Sequence, residues 1–266
     1  MRKDSGRTGR PTSRGRPTRC RAGLLLAVLA VGGAAGCGSS GATASAGTSG
    51  ELPQGKEAIH LDPADFTTHV TNPYWPMQAG DRWRYEQTDA KGVVSRAETT
   101  VLQQTRTVGG IEALVVRDTL HDDKDALVED TTDWYAQDSA GNIWYLGEKT
   151  AEYKNGQVVS TAGSWEAGVD GAQAGVIVPA NPQPGTEYRQ EFLAGAAEDQ
   201  ADVLSNAEQV QTPTGLYKGA LLTRDTTALE PDLVELKWYA RGVGPVLTLT
   251  PSGDVSRQVL VQTPGH

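Results

Sequence analysis

Carboxylate side chains crowd one predicted hairpin of the chain. If residues 122–125 form its turn, Arg117 faces Asp130 across the hairpin and Asp118 faces Glu129. The first pair attracts, whereas two directly opposed acids repel unless a cation lies between them. Calcium takes several oxygen ligands, so Asp118 and Glu129 are a candidate calcium site. The alternative is a solvated acidic hairpin without metal, and it is favoured because charge runs usually form solvated faces.

Three predicted strands carry the same dipeptide, a tryptophan followed by a tyrosine. Neighbouring residues of a strand point to opposite faces, so each dipeptide places one large ring on either side of the sheet. One interpretation is an aromatic-lined groove for a lipid, a glycan or another apolar ligand. The alternative, which we favour, is core packing with cross-strand aromatic pairs. The candidate ligand-binding residues are Trp134, Tyr135, Trp144, Tyr145, Trp165, Trp238 and Tyr239.

Signatures of catalysis are missing from the sequence. It contains no G-x-S-x-G, H-E-x-x-H or P-loop motif. Of the four histidines, only His121 is interior to the predicted strands. Acid pairs such as Glu148 and Glu166 occur by chance in an acidic chain, so they are uninformative about glycoside hydrolysis. We therefore expect a binding or structural role, with a cell-envelope hydrolase as the alternative.

Cys37 follows Ala34-Ala35-Gly36, which ends an apolar stretch behind a basic N-terminal segment. This arrangement is typical of a signal peptide, and it resembles the lipobox of bacterial lipoproteins. The resemblance implies cleavage before Cys37, lipidation of its thiol, and a place at the extracytoplasmic face of the cell envelope. The only other cysteine, Cys20, lies within the leader, so Cys37 would have no disulfide partner. An ordinary secretory signal is the alternative.

The domain organisation follows from this leader. We predict a signal peptide at 1–36, a flexible Gly/Ser/Ala tether at 37–55 and a folded domain at 56–266. The chain carries a net charge of −9, but without residues 1–36 it has 16 basic against 32 acidic residues, a net charge of −16. That charge disfavours nucleic acid as a partner. It also disfavours adhesion to anionic lipid, so the acyl anchor would be the membrane contact.

The sequence pattern of the folded domain predicts β-structure along most of its length. Short segments rich in Thr, Val, Trp and Tyr alternate with turn signals, which predicts antiparallel hairpins. The predicted strands are 81–89, 93–104, 111–121, 126–137, 142–147, 157–161, 175–179, 186–193, 201–212, 217–227, 232–240, 245–250 and 255–262. One short helix is expected after Asp62-Pro63. We predict an all-β fold, a single curved antiparallel sheet or half-barrel of meandering hairpins.

Four stretches carry a resemblance to known proteins. Residues 133–138, 142–148, 163–168 and 237–244 resemble a group of uncharacterised bacterial exported lipoproteins. The last of these stretches is also similar to half-barrels of the LolA/LolB type, in which a curved sheet cups an apolar cavity. The resemblances imply a fold and a location but no established activity.

The sequence as a whole predicts a lipid-anchored exported lipoprotein. Its expected role is non-catalytic, with a lipid, a glycan or an envelope protein as the partner of its β domain. We expect no cofactor apart from the calcium considered above, which would make the chain a calcium-stabilised surface domain.

Overall fold

The computed structural model describes residues 52–265. The predicted signal peptide, Cys37 and most of the predicted tether lie outside the described residues. A 3-10 helix at Pro63–Asp65 precedes the strands. The strands are β1 (Phe66–Thr67), β2 (Arg82–Asp89), β3 (Val94–Val108), β4 (Ile111–His121), β5 (Leu127–Asp138), β6 (Ile143–Lys154), β7 (Gln157–Ser160), β8 (Trp165–Glu166), β9 (Gln173–Val178), β10 (Glu187–Arg189), β11 (Glu191–Phe192), β12 (Asp199–Thr212), β13 (Gly215–Thr227), β14 (Val234–Ala240), β15 (Gly244–Ser252) and β16 (Ser256–Gln262).

The strands form one antiparallel sheet built from two meanders. Consecutive strands pair as hairpins from β2 to β6 and again from β12 to β16. Strand β16 pairs with β2, which joins the meanders edge to edge. The prediction of an all-β fold with a single curved antiparallel sheet is therefore confirmed.

The two ends of the sheet meet at Gln190. Strand β10 stands at one end of the strand order and β11 at the other, with only Gln190 between them in the chain. One residue spans about 3.5 Å, so the sheet must curl until its ends are adjacent. The strand order itself stays open, since β10 pairs with β12 and β11 pairs with β9. A side chain at Gly175 would overlap the backbone of Arg189 and Gln190, so glycine permits this close approach.

Arg189 fixes the N-terminal segment to the place where the sheet ends meet. Its buried guanidinium donates hydrogen bonds to the carbonyl oxygens of Gln54, Gly55 and Glu57, at 3.4, 3.1 and 2.7 Å. The same group donates to the Ala174 carbonyl at 3.1 and 2.8 Å. Residues 52–55, which the sequence assigned to the tether, therefore lie against the folded body.

The predicted N-terminal helix is a 3-10 helix of three residues. The Asp62 side chain accepts a hydrogen bond from the Ala64 amide at 3.0 Å, and Pro63 occupies the first turn. Phe66, directly after this helix, packs edge-on against the Trp144 ring at 6.1 Å. No helix within residues 52–265 has the length and apolar character needed to cross a membrane.

Strand β6 is longer than the sequence predicted. We expected a strand ending at 147, but β6 continues to Lys154 through a bulge opposite Trp134 and Tyr135. Gly147 sits at this bulge with φ +141°, a conformation that favours glycine. The glycine that looked like a strand end in the sequence is thus an internal bulge.

Candidate functional site

The interior of the curled sheet is defined by the rings around Trp75. This residue contacts Trp83 of β2, Tyr135 of β5 and Tyr239 of β14, with centroid distances of 6.4, 5.5 and 6.4 Å. Strands so far apart in the strand order can meet only inside the curl. We call the side of the sheet that carries these rings the interior face.

Two stacked tyrosines extend the ring cluster. Tyr135 and Tyr145 are direct partners on β5 and β6, and their rings stack at 5.0 Å. The edge of Trp165 meets Tyr145 at 5.3 Å. The hydroxyl of Tyr145 donates a 2.7 Å hydrogen bond to Oδ1 of Asp133, two residues before Tyr135 on β5. The aromatic cluster therefore leads directly to a buried carboxyl group.

Asp133 of β5 and Asp118 of β4 are diagonal neighbours, and the electrostatics of their carboxyl groups are linked. Two neighbouring buried carboxylates repel each other, which favours a pair with one member protonated. Burial raises the pKa of Asp133 well above its ordinary value, and the Asp118 charge raises it further. The pKa of Asp118 is raised by burial but lowered by a hydrogen bond from the Thr99 hydroxyl. Asp133 is therefore the member that carries the proton.

Three further acids, the buried Glu148 and Glu191 and the half-buried Asp199, continue from Asp133 along the interior. Burial first, and then the charge of a neighbouring acid, raises the pKa of Glu148 and of Glu191 well above the ordinary value. Burial raises the pKa of Asp199 to about 7. The indole N–H of Trp165 donates a 2.6 Å hydrogen bond to Oε2 of Glu191. This bond lowers the pKa of Glu191, but burial and the charge of Asp199 raise it more.

Lys237 ends this series of acids. Its ammonium group lies 2.9 Å from Oδ2 of Asp225 and 3.1 Å from Oε2 of Glu235, with the lysine almost fully buried. These two carboxylates raise the pKa of Lys237 despite its burial. Gln190 also donates to Oδ2 of Asp225, at 3.2 Å. Lys237 is thus already neutralised by its own two partners.

Several buried polar atoms beside these acids have no hydrogen-bond partner among residues 52–265. They are the hydroxyls of Tyr135, Tyr188 and Tyr239, Oδ2 of Asp133, Oε2 of Glu148 and Oδ1 of Asp199. Such a buried unpaired group costs roughly 1–3 kcal/mol, so most native proteins contain few of them. We use the name tyrosine–carboxyl cluster for one set of residues: Asp118, Asp133, Tyr135, Tyr145, Glu148, Tyr188, Glu191, Asp199 and Tyr239.

The seven aromatic residues predicted to bind ligand divide between the two faces of the sheet. Tyr135, Tyr145, Trp165 and Tyr239 belong to the buried interior cluster. Trp134 lies on the outer face beneath the guanidinium of Arg106, 3.9 Å from the ring centroid.

The other two tryptophans of the dipeptides also lie apart from that interior cluster. Trp144 packs on Phe66 and donates a 2.8 Å hydrogen bond to Oδ2 of Asp138. Trp238 is half-buried. All seven rings therefore cannot line one groove, and ligand binding by any of them stays a prediction.

The predicted opposition of Asp118 and Glu129 is wrong. Asp118 is the direct partner of Thr131, and Glu129 is the direct partner of Leu120. A bulge between Leu120 and His121 shifts the register, so the hairpin does not turn symmetrically about 122–125. Within residues 52–265, no three His, Cys, Asp or Glu side chains are arranged to hold a metal ion.

Arg117 keeps the partner predicted for it, although the two residues are not directly opposed. Its guanidinium makes two hydrogen bonds to Asp130, at 2.8 and 2.6 Å. The long arginine side chain reaches the diagonal neighbour, so this pair survives the shifted register.

The residues considered for hydrolysis do not lie together. His121 lines a cavity of about 300 Å³ whose wall also includes Arg84, Arg96 and Glu98. Glu148 is buried in the interior beside Glu191, whereas the partly exposed Glu166 binds Arg106 at 2.5 Å on the outer face. The two glutamates thus face opposite sides of the sheet and form no acid pair.

A second surface cavity, of about 290 Å³, has an apolar wall. Ile59, Leu61, Val108, Ile111 and Leu146 contribute to it. None of the seven predicted aromatic residues lines this groove.

Sequence reasoning missed Glu191, Asp199 and Lys237. A signal was present, because Lys237 is two residues before Tyr239 and therefore shares its face of β14. A charged residue at an inward position is unusual and marks a candidate site. The position of Glu191 could not be found this way, because the kink at Gln190 interrupts the alternation.

Comparison with known proteins gives a fold likeness only at low similarity. No known family and no curated protein matches the sequence. A Bacteroides fragilis protein, described as exported and as having a YmcC-like fold, is 15% identical with a TM-score of 0.43, covering 71% of this chain and 97% of its own. A protein from Parabacteroides distasonis, described as a lipoprotein, is 13% identical with a TM-score of 0.40, covering 72% and 98%. Similarity to LolA/LolB half-barrels stays a prediction.

Proposed function

We propose that this chain is a lipid-anchored exported protein whose β domain binds a small polar ligand at the tyrosine–carboxyl cluster. The observation that carries the proposal is the convergence of unpartnered buried groups on one interior region. Tyr135 and Tyr239 offer hydroxyl groups, and Glu148 offers a free carboxyl oxygen. A bound molecule with matching donors and acceptors would satisfy all of these groups at once.

The ring cluster supports binding rather than catalysis. The mutually packed rings of Tyr135, Tyr145 and Trp165 form a rigid apolar body next to the carboxyl groups. A ligand site of this kind combines apolar surface with a few placed polar groups. This proposal replaces the open aromatic groove with an enclosed site that uses only the interior rings.

The location proposal rests on the leader and on Cys37, which lie outside the described residues. Two or more acyl chains hold a protein stably to a membrane, since each buried CH₂ contributes about 0.8 kcal/mol. Residues 53–57, bound by Arg189, would connect such an anchor directly to the place where the sheet ends meet.

Native mass spectrometry of the full-length protein, extracted from the membrane of its own host, tests both parts. We expect an acylated N-terminal Cys37 and a bound molecule that dissociates on unfolding. The variant Tyr135→Phe removes one unpartnered hydroxyl without changing shape, so it should reduce ligand occupancy while the protein stays folded. A control outside the cluster, Tyr217→Phe at a half-buried tyrosine, should retain the ligand. Protein that carries no molecule, alone or after incubation with host extract, would refute the binding proposal.

A further inference from the structure

The interior of the sheet holds more acids than bases. Five acids follow one another along it: Asp118, Asp133, Glu148, Glu191 and Asp199. In each of the last four, the charge of another nearby acid raises the pKa. Among residues 52–265, Lys237 is the base that influences this series, and it is paired with Asp225 and Glu235.

Arg189 does not balance these charges, although it is buried and lies only two residues before Glu191 in the chain. Within residues 52–265, the hydrogen bonds of its guanidinium go to backbone carbonyl oxygens, those of Ala174 and of residues 54, 55 and 57. Burial lowers the pKa of Arg189 to about 10, and it stays charged at neutral pH. Its charge is therefore used to fix the N-terminal segment.

The unpartnered carboxyl oxygens are the atoms that a cation would bind. Oε2 of Glu148 and Oδ1 of Asp199 are buried acceptors that meet no donor within the described part of the chain. An ammonium group brings three donors and a positive charge.

We infer that the occupant of the tyrosine–carboxyl cluster is an organic cation, a diamine whose two ammonium groups bind Glu148 and Asp199. The inference rests on the proposed function and specifies the ligand class. A metal ion fits less well, since a divalent cation needs several converging oxygen ligands and no such group of three side chains exists within residues 52–265. A neutral polyol could fill the same space, but it would leave the acids uncompensated.

Binding of an amine would be coupled to release of protons. In the free protein the raised pKa values keep these carboxyls largely protonated at mildly acidic pH. A bound ammonium group favours the carboxylate form, so the carboxyl proton leaves to solvent and affinity rises with pH. The groups that face Glu148 are Asp133, Tyr145, Glu129 and Glu191. Those that face Asp199 are Glu191, Thr227, Lys237, Asp225 and Glu235.

The test uses full-length protein with diaminobutane and its neutral analogue butanediol as probes. Titration calorimetry at pH 6, in two buffers of different ionisation enthalpy, measures both affinity and protons released. We expect diaminobutane to bind at least tenfold more tightly than butanediol, with release of about one proton per molecule. Affinity for the amine should rise several-fold between pH 5 and pH 7.

Two isosteric variants locate the site. Glu148→Gln and Asp199→Asn should each weaken diaminobutane binding at least tenfold and reduce the proton release. Both remove an acid whose ionisation opposes folding at neutral pH, so the variants should stay folded, which circular dichroism checks. Asp123→Asn, in the exposed hairpin turn, should bind like the unchanged protein.

The outcomes separate this inference from the proposed function. Equal binding of butanediol without proton release would overturn the amine assignment and leave the binding proposal standing. Failure of both probes would also overturn it, and native mass spectrometry of the host-derived protein would then decide the proposed function on its own. Retained amine binding by both isosteric variants would place the amine elsewhere and refute the assigned site.

Discussion

The hydroxyl of Tyr145 donates a 2.7 Å hydrogen bond to Oδ1 of Asp133, inside the curled sheet. The two residues lie on neighbouring strands, and Tyr135 stacks on the ring of Tyr145 while its own hydroxyl has no partner within residues 52–265. The hydroxyl of Tyr145 is thus hydrogen-bonded to a buried acid, whereas the hydroxyl of Tyr135 is available to bond a ligand. This contrast is the local feature from which the binding site is argued.

Stability should fall as the pH rises from about 5 to about 8. In the folded protein the pKa values of Asp133, Glu148 and Glu191 are raised by burial, and that of Asp199 is raised to about 7. The unfolded chain releases these protons near pH 4, so between the unfolded and folded pKa values the folded state binds more protons. Stability is therefore fully present below the unfolded pKa and decreases through this window. Urea unfolding at intervals of one pH unit measures it; a constant or rising free energy of unfolding would contradict the buried-acid description.

Asp133→Asn should stabilise the protein at pH 8. The amide keeps an oxygen for the Tyr145 hydroxyl and supplies an N–H to Asp118, so no proton has to be taken up on folding. Each unit of pKa difference is equivalent to about 1.4 kcal/mol, and we expect a gain of about 1 kcal/mol or more. Guanidinium unfolding at pH 8 and pH 5 checks it, since the gain should shrink at the lower pH. The control Asp130→Asn breaks an exposed pair with Arg117 and should cost no more than about 1 kcal/mol.

Arg189→Ala should destabilise the domain by about 3 kcal/mol or more, because it leaves several buried carbonyl groups without donors. The loss should be local as well as global, since this side chain holds residues 53–57 in place. Hydrogen exchange should show faster exchange at β10, where the Arg189 amide donates to the Pro53 carbonyl at 2.8 Å. Arg84→Ala, at an exposed ion pair, serves as the control. Unchanged exchange at β10 would mean that the segment is held by other contacts.

Gly175→Ala should cost about 2 kcal/mol or more, because the added methyl group overlaps the backbone of Arg189 and Gln190. The backbone there cannot move without separating the sheet ends. Gly156→Ala is the matched control: Gly156 has φ +73° but open space around it, so only backbone strain of about 1 kcal/mol applies. Thermal unfolding of the two variants compares steric overlap with strain, and equal losses would argue against the close approach at Gln190.

The sequence alone determined the β-strands, because alternation and turn residues are local signals. It placed the hairpins from β2 to β5 within a few residues, and the Asp62 cap and Pro63 predicted the short helix correctly. It also determined that each Trp-Tyr dipeptide divides between two faces. Bulges were beyond its reach, since the register of Asp118 and the length of β6 depend on pairing with partner strands.

Only the tertiary structure decided which residues share the interior. Glu191, Asp199 and Lys237 come from three strands, and they meet because the sheet curls until β10 and β11 are one residue apart. Local patterns cannot encode that closure, which depends on the summed twist and curvature of sixteen strands. The acids are ordinary in the sequence and become unusual only when the fold removes them from water and places them side by side.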